Sequence, residues 1–120
     1  MTIEQRIVGS VVVLDLSGAF RIGEEDRFRD KVHSLVFEGR RAIVINMANV
    51  SYIDSTGLGN LVAAYTTVTK AGGRIALINL TTRVSDVMAI TKLLTVFDVF
   101  DSEALAIVQL SSETSTSASA

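Results

Sequence analysis

A chain of 120 residues, 48% of them hydrophobic, is long enough to bury a core without disulfides or metals, and one folded unit accounts for it. Charged and turn residues break every apolar run well before the ~20 residues a membrane helix needs, and the absence of cysteine excludes a disulfide framework. With 11 Lys+Arg against 13 Asp+Glu, net charge −2, the chain lacks the basic footprint of a nucleic-acid binder. The opening "MTIEQRIVGS" has no basic segment leading into an apolar one, so a cytoplasmic location is expected.

"IEQRIV" alternates apolar and polar residues, Gly9-Ser10 supplies a turn, and the β-branched run "VVVLDLSG" closes at Gly18, which reads as a hairpin of two strands. After the loop "GAFRIGEED", Phe28, Val32, Leu35 and Val36 share one helical face, and Gly39 stops the helix. "AIVINM", from Ala42, is apolar on both sides of the pleat, as a central strand covered on two faces should be. Leu58, Leu61, Val62, Tyr65 and Val68 then form a second helical stripe closed by "KAGG", with Lys70 near its negative end.

"RIALINL", Arg74 to Leu80, is the next buried strand. A Thr cap and the stripe Val84, Val87, Met88 follow in "TTRVSDVMAITKL". "FDVFD" reads as a short last strand or an extended connection, Asp101-Ser102 as the cap of a final helix, and "SSETSTSASA", with nothing to bury, as a disordered tail over 111–120 beyond a domain of 1–110.

The stretch "VSYIDSTGLGNL", Val50 to Leu61, raises the functional question. Following a loop after the central strand and preceding the Leu58 stripe, Asp54 is the best N-cap, leaving the Ser55 and Thr56 hydroxyls in the first helical turn. Helix starts carry unsatisfied N–H groups and partial positive charge, so a phosphoryl group on Ser55 would meet a natural anion site. Gly57 and Gly59 weaken the turn by ~1 kcal/mol each relative to alanine and leave its backbone bare for a partner. Capping alone would also choose Asp-Ser-Thr here, and spacing by itself favours that plainer reading.

Other chemistry lacks parts. His33, the one histidine, lies off the apolar stripe of its helix and reads as a surface residue. Without cysteine or a second histidine, zinc sites and Cys/His nucleophiles lack parts, and with His33 off the apolar stripe no Ser/His/Asp hydrolase arrangement is expected. Gly57-Leu58-Gly59 is too short for a dinucleotide fingerprint, and no phosphate-binding Gly-Lys-Ser/Thr loop occurs. Glu24, Glu25 and Asp26 read as a solvated helix start rather than a cation site. Neither cofactor nor metal is expected.

The segment "NVSYIDSTGLGNLVAAYTTVTKAGG", preceded by "AIVINM" and followed by "RIALINL", closely resembles the STAS domain of bacterial anti-sigma factor antagonists, and the likeness runs from about Ile3 to Leu110. The resemblance implies an α/β fold, a mixed sheet of four to five strands with packed helices. It implies a regulator rather than an enzyme. The unphosphorylated form would bind an anti-sigma factor serine/threonine kinase and release the sigma factor, with phosphorylation at Ser55 as the off-switch and a phosphoserine phosphatase as the reset. The partner surface would comprise Asp54, Ser55, Thr56, Gly57, Leu58, Gly59 and Arg21. Many members carry an acidic residue shortly after the glycine ending the second strand, where this chain has Arg21. The alternatives are a STAS module of a stress-signalling complex, or a phospho-aspartate receiver using Asp54, although a receiver needs more acids at its first strand end than "RIVGS" and "LDLSG" supply. With no apolar stripe beyond three helix faces, a monomer is expected.

Overall fold

The computed structural model describes the chain except for Ile22, Glu24 and Ala120 and the side chains of Glu25 and residues 112–119. The elements run β1 (Thr2–Val8), β2 (Val11–Phe20), α1 (Glu25–Phe37), β3 (Ala42–Ile53), α2 (Ser55–Lys70), β4 (Arg74–Ile78), α3 (Thr82–Ile90), a 3-10 turn (Leu93–Thr95), β5 (Asp98–Phe100) and α4 (Glu103–Ser119). They build one five-stranded sheet in the order β1-β2-β3-β4-β5. β1 is antiparallel to β2, and each later pair is parallel. Because the parallel strands are added in one direction, right-handed crossovers deliver α1, α2 and α3 to the same face.

Strand alternation then makes two cores. Val12, Leu14, Leu16, Ile43, Ile45, Met47, Ile75 and Leu77 face the crossover helices, meeting Phe28, Val32, Leu35, Leu61, Val68, Val84 and Met88. The opposite residues, Val11, Val13, Ala42, Val44, Ala76 and Ile78, face Ala106 and Leu110 of α4. This double coverage explains why the central strands read as continuous apolar runs. Phe20 and Phe28 lock the start of α1 to the end of β2, edge to face at 5.0 Å.

The structure alters several boundaries. β2 passes Gly18 and continues to Phe20. β3 does not stop at Met47 but runs to Ile53, so no loop separates it from Asp54. Two irregularities in its pairing with β2, between Asp15/Ser17 and Gly18/Ala19, account for the hidden half of the strand. There β3 advances more residues than β2, and its in–out alternation breaks. β4 ends at Ile78 rather than Leu80, because Asn79 takes a left-handed conformation, φ 57°. The short alternative for "FDVFD" is realised as β5, and Ser102 caps α4 by accepting from the Leu105 N–H at 3.2 Å. The α4 backbone continues past the expected boundary at residue 110 to Ser119. Leu110 is the last buried residue among the described side chains of α4, and the tail side chains 112–120 lie outside the described residues.

Candidate functional site at the start of α2

β3 hands over to α2 without an intervening residue other than Asp54, whose extended backbone (φ −112°, ψ −174°) breaks the strand and opens the helix. Its Oδ1 accepts from the Gly57 N–H at 2.9 Å, and its carbonyl accepts from the Leu58 N–H at 2.9 Å. Asp54 is thus the predicted N-cap. The side-chain bond satisfies one of the four amides that a helix start leaves open, and the carbonyl bond is the first of the helix itself. The amides of Ser55 and Thr56 have no acceptor among the described residues.

Ser55 is exposed, while Asp54 and Thr56 are half-buried. Ser55 therefore presents its hydroxyl to solvent at the positive end of a 16-residue helix. Asn60 donates from Nδ2 to the Thr56 carbonyl at 2.9 Å, tightening the same turn.

The two glycines behave differently. A Cβ on Gly57 would stand 2.3 Å from the Phe20 carbonyl oxygen and 2.9 Å from Cγ1 of Ile53. Gly57 is buried under the end of β2, so the bare backbone expected there is covered by the chain itself. Leu58 is also buried, 7% exposed. Gly59 is exposed, with nothing within 4 Å of the Cβ position. Of the residues expected at the surface, Ser55, Thr56 and Gly59 form its accessible part, and Gly57 and Leu58 seat it on the sheet.

Phe20 brings in the remaining element. Its carbonyl touches the Gly57 position and accepts from the Asp54 N–H at 3.3 Å. Arg21, the next residue, is exposed, so the loop after β2 starts beside the α2 cap. The sequence signal for this contact is Gly57 itself, since a glycine inside a first turn marks close backbone approach.

Asp15 does not join Asp54. It lies within β2, paired with Arg6 (2.6 Å) and hydrogen-bonded by Asn46 Nδ2 at 2.7 Å. Arg6 also binds Glu103 of α4. The Arg6 hydrogen bonds hold both carboxylates below their ordinary pKa values, against a smaller opposing effect of burial, and raise that of Arg6. Among the described residues no three His, Cys, Asp or Glu side chains are grouped to hold a metal. His33 is exposed, as expected.

Residues 2–106 match the STAS domain family. The chain belongs to that family. It is 32% identical over 88 residues to the anti-sigma-B factor antagonist of Bacillus subtilis (strain 168), covering 73% of this chain and 80% of the relative. It is 23% identical over 111 residues to the anti-sigma F factor antagonist of Paenibacillus polymyxa, covering 92% and 95%. Its fold matches the solved structures of the Bacillus antagonist SpoIIAA. The phosphorylated form superposes with a TM-score of 0.71 at 23% identity, covering 90% of this chain and 98% of that one. The unphosphorylated form gives 0.70 at 20% identity, covering 90% and 96%. The mixed sheet of four to five strands expected from the resemblance is observed, with five strands.

Proposed function

We propose that this protein is an anti-sigma factor antagonist switched at Ser55. In the unmodified state the exposed turn formed by Ser55, Thr56 and Gly59, flanked by Arg21, docks on an anti-sigma factor that is also a serine/threonine kinase, and the sigma factor is released. Transfer of a phosphoryl group to Ser55 ends the complex, and a phosphoserine phosphatase restores it. The protein acts in the cytoplasm and catalyses nothing itself; the kinase partner supplies the chemistry. The observation that carries this reading is the exposed Ser55 hydroxyl directly after a capping aspartate, in a STAS chain whose curated relatives are antagonists of anti-sigma factors.

The physics of the switch needs no change of fold. A phosphoserine adds about 1.5 to 2 negative charges, which the open amides of the first turn can accept. A kinase surface shaped to accept the neutral hydroxyl beside Asp54 would then face two adjacent anions. Incubating the chain with its kinase and ATP tests the site. Intact mass should rise by one phosphate on the wild type and on Thr56→Ala, with none on Ser55→Ala; labelling of Ser55→Ala at the wild-type rate would place the switch elsewhere.

A further inference from the structure

β1 ends the sheet, and its outer edge pairs with no other strand among the described residues. A seven-residue open edge is a template for another strand. We infer that the strand added there is β1 of a second copy, in an antiparallel, twofold pairing centred on Gln5 that joins two sheets into one. This reading is independent of the Ser55 switch.

The strand is self-complementary about Gln5. Reading "TIEQRIV" against its own reverse places Glu4 opposite Arg6 of the second copy, Ile3 opposite Ile7, and Thr2 opposite Val8, each pair occurring twice. Directly opposed residues in an antiparallel pair share a face, so all of these contacts form at once. A shift by one residue would set Ile against charged residues and remove them all.

One half of the charged contact, Glu4, has an unmet need within one chain. Glu4 lies directly across from Asp15 in the β1–β2 register, a like-charge pair, and no cation pairs with Glu4 among the described residues. The Arg6 of a second copy would sit on its other side. Arg6 is already fixed by Asp15 and Glu103 while its side chain stays 42% exposed, so little ordering remains to be done on association.

On the opposite face Ile7 is 52% exposed. Beside Ile3 runs a groove of about 490 Å³ between β1 and α1, lined by Thr2, Ile3, Arg27, Asp30, Lys31 and Ser34. In the centred register, Ile7 of one copy lies opposite Ile3 of the other, at the mouth of that groove. The other sheet edge, β5, has three residues and no such symmetry.

The expectation of a monomer rests on helix faces, and an edge strand offers backbone donors and acceptors that no apolar stripe reveals. Charged edge residues also serve to prevent pairing, and experiment separates the two roles. The chain has no cysteine, so a single Cys reports register. At the twofold centre the two Gln5 Cα atoms would be about 4.5 to 5.5 Å apart, within disulfide reach. Under mild oxidation Gln5→Cys should give a disulfide dimer and Thr2→Cys should not. By sedimentation across a concentration series the wild type should dimerise. Glu4→Arg should stay monomeric with an undiminished melting temperature, since the introduced guanidinium would meet Arg6 of the second copy but attract Asp15 of its own chain. A wild type that remains monomeric throughout, a Glu4→Arg that dimerises equally, or crosslinking of both Cys variants at the same rate would overturn the pairing.

Discussion

Gly57 has no room for a side chain, and this fixes the geometry of the neighbouring serine. An alanine there would drive its Cβ into the Phe20 carbonyl and Ile53, forcing α2 away from β2 at a cost of about 1–3 kcal/mol. Gly57→Ala should therefore lower the melting temperature by several degrees, and because the cap moves with the helix, kinase binding should weaken as well. Gly59→Ala, in open space, should raise the melting temperature slightly, as a helix position gaining a Cβ does. Equal melting temperatures for the two variants would refute the close approach. Asp54 can be dissected in the same way. Asp54→Ala loses the acceptor for the Gly57 N–H, worth about 1 kcal/mol, whereas Asp54→Asn keeps the acceptor and drops the charge. Thermal unfolding should rank wild type and Asn together above Ala. The cap was legible in the sequence because Asp-Ser-Thr before an apolar stripe is local grammar. A glycine inside that first turn signals close approach of some backbone, but not which one: the Phe20 carbonyl it touches lies far back in the chain, and no local pattern names it.

At the scale of elements, helices were more legible than strand ends. Helical stripes such as Phe28, Val32, Leu35 and Leu58, Leu61, Val68 survive intact because each helix buries one face. The second half of β3 is hidden in the sequence because "MANVSY" loses alternation where the β2 pairing slips, yet that irregular stretch carries the chain from the core to the Asp54 cap. α4 gives a test of how far its packing extends. Ala106 and Leu110 are fully buried against the far face of the sheet, so Leu110→Ala should cost about 2–4 kcal/mol, while a chain ending at Leu110 should unfold at nearly the wild-type temperature. If truncation after Leu110 costs as much as Leu110→Ala, the last residues of α4 are part of the core.

Across the whole molecule, the Arg6 cluster ties the first strand to the last helix through Asp15 and Glu103. Its Arg6–Asp15 half is local to the hairpin, nine residues apart, but nothing local announces Glu103, which lies 97 residues from Arg6. Its pH signature follows from the lowered carboxylate values. In the unfolded chain Asp15 and Glu103 titrate near their ordinary values, 3.8 and 4.5; in the fold they hold on to their charge at lower pH. The stabilisation is therefore fully present above those ordinary values and is lost as pH falls through the lowered folded ones. Replacing Arg6 by Met should flatten the acid limb of a stability–pH curve below about 4.5; an unchanged limb would show that the cluster contributes nothing.

At the scale of the fold, the sheet and its helices hold the exposed Ser55 hydroxyl in the capped first turn of α2, and modification there is predicted to change affinity without changing structure. Like charges brought together at an interface cost several kcal/mol, and each ~1.4 kcal/mol is tenfold in affinity. The most direct test is a calorimetric titration of the anti-sigma factor kinase with unmodified and Ser55-phosphorylated protein, whose folds are first matched by their amide spectra. A loss of about a hundredfold or more in affinity with unshifted core resonances is the predicted result; equal affinities, or a loss that appears only with rearranged core resonances, would contradict it.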